Sequence, residues 1–247
     1  MLVLLPPSET KADGGTGTSL ELDSLSFPEL NPLRRKLADA LVELADDLAT
    51  AAAALGISER QSAEVERNAR LWSTPTTPAL RRYTGVLYDA LDVAGMGKAQ
   101  LRRANRRLAV ASALFGLVRA DDPIPPYRLS AGSRLPGFGS LRGLWRPVLE
   151  PVLAGLDELV VDLRSSPYAA LAKAPAAVTV RVLTEDGSGM RKTVSHHNKA
   201  HKGRLAAALA TSQTEASTVE DILRVASRAG VELERTGERQ LDLVIAG

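Results

Sequence analysis

Lys98-Ala-Gln-Leu-Arg-Arg-Ala-Asn-Arg-Arg-Leu-Ala-Val-Ala-Ser-Ala-Leu114 changes character at residue 108. Up to Arg107 it is strongly basic, has no internal breaker and follows Gly95 and Gly97, which reads as a helix opened by a chain break. From Leu108 to Leu114 it is apolar and of strand length, which reads as a buried strand. The same kind of apolar run stands at Leu2–Leu5, ahead of Pro6 and Pro7, and again over residues 158–163. Strands and helices interspersed in this way predict a mixed α/β (α+β) fold, a mixed sheet flanked by helices.

The remaining segments fit that frame. Leu33, Leu37, Leu41, Leu44 and Leu48 share one helical face, predicting a helix over residues 33–55 that Gly56 stops. Ser58 and Gln61 have capping-box spacing and open a second helix to about residue 71. Residues 83–91 read as helical. Residues 115–134 read as a loop rich in proline, carrying Arg119, Tyr127, Arg128 and Arg134. A helix over 141–156 contains Pro147 and Pro151, which predicts kinks or a break. Residues 178–183 and 190–195 form a hairpin around Asp186-Gly-Ser-Gly189. Helices follow over 198–210 and 219–229, then a terminal hairpin of 231–234 with 241–245. No internal repeat is present. The expectation is one domain over residues 1–247, with a helical sub-region at about 29–107.

Composition bounds the function. The chain has 247 residues, enough for a large core, and no cysteine, which excludes disulfides, thiolate metal sites and cysteine nucleophiles. No stretch approaches the roughly 20 apolar residues of a membrane span, and Met1–Leu5 runs into Pro6 without a basic leader, so a cytoplasmic location is expected. Net charge is only +2 but polarised. Residues 81–107 hold seven bases against two acids, and residues 215–247 hold seven acids against four bases. A basic middle favours a phosphate-bearing or polyanionic partner without choosing between DNA, RNA and a small phosphate ester.

All three histidines fall within Ser195-His-His-Asn-Lys-Ala-His-Lys-Gly203, beside Arg191, Lys192, Lys199, Lys202 and Arg204, with no acid between residues 189 and 204. This cluster sits where a strand hands over to a helix, a place that attracts anions. Anion contact or acid–base work by His196 and His197, with Asn198, Lys199, Lys202 and Arg204 as anion contacts, is the leading expectation. The competing readings are a solvated basic surface, a structural role, or metal held by His197 and His201. The adjacent cations and the lack of a nearby carboxylate disfavour metal, and no metal or other cofactor is expected. In the proline-rich loop, Tyr127 and Arg128, with Arg134, are candidate anion-binding residues; pairing of Arg128 to Asp121 or Asp122 is the alternative. Ser8-Glu9-Thr10-Lys11 follows the first strand and Ser165-Ser166 the third, positions where α/β proteins place sites. Ser8 and Lys11 are candidate positioning groups if the protein is an enzyme. There is no Gly-x-Ser-x-Gly elbow, and Gly14-Gly-Thr-Gly17 lacks the Lys-Ser/Thr of a phosphate loop.

Several segments, in order, resemble the bacterial YaaA family of peroxide-stress proteins. The first strand with Pro7 and Thr10 resembles the family's opening turn, and Tyr83-Thr-Gly-Val-Leu-Tyr88 its Val-Tyr-x-Gly-Leu segment. Ala111-Ser-Ala-Leu-Phe-Gly-Leu-Val-Arg119 through Pro126-Tyr-Arg-Leu129 resembles its Ser-Gly-Leu-Tyr-Gly-Val-Leu-Arg-Pro and Pro-Tyr-Arg-Leu motifs. Asp162-Leu-Arg-Ser-Ser-Pro-Tyr168 and residues 195–203 match two further stretches, with Ser195-His-His-Asn198 replacing the family's Ser-Phe-Tyr-Ala and Glu9 replacing a lysine. The resemblance implies a single α/β globule with a positively charged cleft, double-stranded DNA binding and defence against hydrogen peroxide. A small anionic or nucleotide-like metabolite as substrate is the second expectation. Geometrically, His196 and His197 are expected at the mouth of one cleft, Tyr127 and Arg128 on its opposite wall, and residues 7–11 at one end.

Overall fold

The computed structural model describes residues 1–185, 187, 190–193 and 198–246. In chain order the elements are β1 (Leu2–Leu5), α1 (Asn31–Leu44), α2 (Leu48–Leu55), α3 (Ser62–Ala69), β2 (Thr77–Pro78), α4 (Ala79–Arg82), α5 (Val86–Leu91), α6 (Lys98–Arg107) and β3 (Leu108–Ser112). They continue with β4 (Gly116–Arg119), β5 (Pro123–Ile124), α7 (Leu141–Ala154), β6 (Val160–Asp162), α8 (Ser166–Ala169), β7 (Val178–Glu185), β8 (Arg191–Thr193), α9 (Asn198–Thr211), α10 (Val219–Arg228), β9 (Leu233–Gly237) and β10 (Gln240–Ala246).

One mixed sheet in the order β4-β3-β1-β6-β7-β10-β9, with β8 paired to β7, runs through the molecule. Strands β3, β1, β6, β7 and β10 are mutually parallel where they pair. β1 and β3 are buried at every residue, as expected of parallel strands covered on both faces. Their apolar runs are therefore continuous, which is what made them legible. Antiparallel pairs complete the sheet: β4 with β3, β8 with β7 and β9 with β10.

The fold class and most elements agree with the sequence reading, and the exceptions have physical causes. The expected helix over 33–55 is two helices. Asp47 takes extended backbone and accepts hydrogen bonds from the Ala49 and Thr50 N–H groups, capping α2 and interrupting the leucine face. The expected loop over 115–134 contains β4 and β5. Gly116 at φ +71° makes the tight return from β3, and an added Cβ there would meet the Trp145 ring at 2.5 Å. α7 runs unbroken from Leu141 to Ala154 through both prolines. α6 occupies Lys98–Arg107, as read.

Several of the chain's arginines are turned inward. Arg34 donates to the carbonyls of Ser26, Phe115 and Leu117. Arg82 donates to those of Ile124, Ala12, Gly14 and Pro75. Arg103 and Arg107, one turn apart on α6, reach the final carbonyls of α9 and the residue after it: Thr211 at 2.9 Å, Leu209 at 3.2 Å and Ser212 at 2.7 Å. Cations at a helix C-terminus satisfy carbonyls that have no intrahelical donor. Lys98, Arg102 and Arg106 of that helix are exposed.

Candidate functional site

The chain leaves β1 toward β3 on one side and leaves β6 toward β7 on the other. β1 and β6 are adjacent and parallel, with Leu2 opposite Val160 and Leu4 opposite Asp162. The loops after them therefore part, and a crevice opens beyond their carboxyl ends, the place where open α/β sheets hold ligands. A pocket of about 780 Å³ lies there. Pro6 to Thr10 come from the loop after β1, Leu163 to Tyr168 from the loop after β6, and Thr84 to Tyr88 from the start of α5. Ser130, Ala131 and Gly132 form a further wall, and Asn198, Lys199 and Lys202 arrive on the first turns of α9.

The wall built from β1 and α5 is internally bonded. The Ser8 hydroxyl donates to the Thr10 carbonyl and accepts from the Thr84 N–H, and the Thr84 hydroxyl donates to the Thr10 hydroxyl at 3.1 Å. The Tyr88 hydroxyl donates to the Pro6 carbonyl at 2.8 Å, and its ring stacks on Tyr83 at 5.5 Å. Behind this wall, Lys11 is buried: its ammonium donates to the Ser8 carbonyl at 3.0 Å and lies 4.3 Å from the centre of the Tyr127 ring. Burial lowers its pKa to about 8, with the Glu9 charge pulling the other way. Tyr127 is 1% exposed. Its hydroxyl bridges those of Tyr83 at 2.8 Å and Ser112 at 2.7 Å, and Ser112 in turn accepts the Leu114 and Phe115 N–H groups. Burial raises the pKa of both phenols, that of Tyr83 to about 12.

The opposite wall, from β6 and α9, is differently constructed. Its backbone is braced from below. Arg164 forks onto Asp162 at 2.9 and 2.7 Å and donates to the Ala172 carbonyl at 3.0 Å. The buried Lys202 ammonium donates to the carbonyls of Leu163 at 3.0 Å and Arg164 at 3.3 Å, and desolvation lowers its pKa. The side chains held above this brace are uncommitted. Ser165, the residue before α8, makes no side-chain cap. Among the described residues, the hydroxyls of Ser165 and Ser166, the Asn198 amide and the exposed Lys199 ammonium have no hydrogen-bond or ion-pair partner.

The residues singled out in the sequence thus separate. Ser8, Asn198, Lys199 and Lys202 line this pocket. Lys11 lies behind it, and Tyr127 belongs to the core. Arg128 sits beside the first wall, bonded at 3.1 Å to the Glu9 carboxylate, with its backbone paired to the Asn68 amide. Its buried Nε has no hydrogen-bond partner. The far wall is made by Ser130, Ala131 and Gly132, a few residues beyond the expected Tyr127 and Arg128. Arg134 is exposed and Arg204 lines a separate depression of about 260 Å³ with His201 and Glu232. His196 and His197 lie outside the described residues; Asn198, which follows them, is at the pocket. No group of three His, Cys, Asp or Glu side chains among the described residues is placed to hold a metal ion. Among the same residues no helix is long and apolar enough to cross a membrane.

The sequence reading missed the role of Thr84 and Val86 on the first wall, and the Arg164–Asp162 fork. The only signal for the fork was an Asp-x-Arg spacing at the end of a strand. Known proteins match this sequence over nearly its whole length. The family model described as peroxide stress protein YaaA matches residues 1–235. A UPF0246 protein of Corynebacterium efficiens is 49% identical over 251 residues, covering 99% of this chain and 100% of the relative. A UPF0246 protein of Streptomyces coelicolor is 46% identical over 242 residues, covering 95% and 92%. One from Corynebacterium glutamicum is 43% identical over 249 residues and 99% of both chains. The chain belongs to the YaaA family of peroxide stress proteins.

Proposed function

We propose that this protein serves a peroxide-stress role by binding an anionic ligand in the pocket between the loops after β1 and β6. The observation that carries this reading is the set of uncommitted donors on one wall: two hydroxyls, an amide and an ammonium, all over a braced loop. Such donors convert to charge-assisted hydrogen bonds when an anion arrives, and little has to reorganise first. The pocket's size and its position at a switch point support a small ligand. The peroxide-stress element comes from the description of the family. If chemistry occurs, His196 or His197 is the acid–base group, adjoining Asn198 in the chain.

A second reading takes double-stranded DNA as the anion. It rests on the exposed cations Arg102 and Arg106 of α6 and Lys199 and Arg204 of α9, two helices tied together by Arg103 and Arg107. Phosphate contacts of this kind give salt-dependent binding with little base reading. Calorimetric titration with inorganic phosphate, beside fluorescence titration of a labelled duplex at two salt concentrations, tests both. Phosphate binding that Lys199→Gln weakens supports the pocket reading. Duplex binding that falls steeply with salt, and falls again in Arg102→Gln/Arg106→Gln, supports the second. Absence of both in the full chain at low salt would sink the anion reading altogether.

A further inference from the structure

The pocket is much larger than a simple anion needs, and its two sides differ in chemistry. We propose that it takes a phosphate monoester carried on a flat, ring-sized apolar body, a mononucleotide or an aryl phosphate, with the phosphate at Ser165, Ser166 and Lys199 and the ring against Pro6, Pro7 and Val86. The inference rests on the anion reading of the pocket and adds what the anion is attached to.

Three observations carry it. First, about 780 Å³ is the volume of sites that hold whole metabolites, and a bare phosphate would leave most of it to water. Second, the β1–α5 side has no side-chain hydroxyl to spare. The hydroxyls of Ser8, Thr10 and Thr84 are bonded to one another or to backbone, and the Tyr88 hydroxyl is bonded to Pro6. What that side offers a ligand is surface of Pro6, Pro7 and Val86, beside a Glu9 carboxylate already paired to Arg128. Val86 is 54% exposed, a large apolar side chain left in water at the pocket wall, and a ligand ring would cover it. Third, that surface is rigid. Proline rings have no side-chain freedom to lose, and Tyr88 is locked by its hydrogen bond and its stacking on Tyr83. Rigid, flat walls favour a rigid, flat occupant, because neither partner gives up rotamers on contact. On the other wall, the two serine hydroxyls and the Lys199 ammonium can each serve a different oxygen, which suits the three terminal oxygens of a phosphate monoester.

The test is a calorimetric titration of the full chain with five probes: inorganic phosphate, phenyl phosphate, phenol, adenosine 5′-monophosphate and adenosine. At least one ring-bearing phosphate is expected to bind about tenfold or more tightly than inorganic phosphate, from apolar surface covered. Each ring without its phosphate is expected to bind about tenfold or more weakly than with it. Which of the two phosphates wins distinguishes a nucleotide from a simpler aryl ester. Two exposed positions separate the halves of the site. Lys199→Gln is expected to weaken all phosphates several-fold, and Val86→Ser only the ring-bearing ones, with melting temperatures confirming that both variants fold. If ring-bearing phosphates bind no more tightly than inorganic phosphate, this proposal is overturned and the anion pocket stands. If adenosine or phenol binds as tightly as its phosphate, the assigned polarity of the pocket is wrong. If nothing binds, inorganic phosphate included, the underlying anion reading fails as well.

Discussion

The two walls of the pocket are built from the same kinds of residue and use them in opposite ways. On the β1–α5 wall, hydroxyls and cations are spent: Ser8, Thr10 and Thr84 bond each other or the local backbone, Lys11 is buried against Tyr127, and Arg128 is paired to Glu9. On the β6–α9 wall, cations are spent below the surface, where Lys202 and Arg164 fix the loop, while Ser165, Ser166, Asn198 and Lys199 are left for a ligand. A cation count therefore overstates the charge offered to a partner. Buried carbonyls without donors are costly, and in this chain arginine and lysine supply many of those donors.

That contrast can be broken from the first wall. Arg82→Met removes the donor shared by four carbonyls under the residue 12–14 loop. Leaving them unsatisfied is expected to cost about 4 kcal/mol in urea unfolding, and to loosen the chain just beyond the first wall. A wild-type midpoint would show that the loop supports itself. Next in size is the joint between the walls. Gly203 of α9 lies so close to α5 that a Cβ would meet the Leu87 carbonyl at 2.3 Å. Gly203→Ala is expected to destabilise by about 2–3 kcal/mol through this overpacking and to weaken binding of any pocket ligand. A variant as stable as wild type would mean the helices separate freely.

Lys11 sharpens the comparison through pH. Its folded pKa of about 8 is below the ordinary 10.5. Between pH 8 and 10 the unfolded chain therefore holds a proton that the folded chain has released, so stability rises with pH. The rise is about 2 kcal/mol relative to Lys11→Met, which lacks the group. Above pH 10 the raised tyrosine pKa values reverse the slope, because the folded phenols keep protons that the unfolded chain loses. Parallel pH profiles for the two proteins would place the Lys11 ammonium in water. The smallest effect is expected of Tyr127→Phe. The ring stays beneath Lys11, and only the bridge between Tyr83 and Ser112 is lost, for about 1 kcal/mol in thermal or chemical unfolding.

Much of the fold was legible because it follows from local chemistry. Runs such as Leu108–Ser112 are apolar at consecutive positions since both faces of a parallel strand are covered, and that pattern survives without knowledge of the neighbours. The helix over Lys98–Arg107 and the terminal hairpin were legible for similar reasons. Errors fell where one residue outranked a pattern. Asp47 caps a new helix inside a continuous leucine face, and Gly116 returns the chain inside a stretch that proline content marked as loop. The candidate site was half legible: residues 8–10 and 165–166, with Asn198, Lys199 and Lys202, stood out as polar groups at strand ends and do line one pocket.

Sequence alone determined that this is an α/β protein of the YaaA family, without cysteine chemistry and with polar clusters after its buried strands. Those properties are written in residue types and spacing, which folding does not alter. Tertiary structure alone decided which cations face a ligand. Lys199 and Lys202 are three residues apart on α9, yet one is exposed at the pocket and the other is buried against two carbonyls. That difference is set by the end of β6, an element some forty residues earlier in the chain, lying beneath one lysine and not the other. Burial and the need to satisfy backbone oxygens turn identical side chains into a brace and a contact.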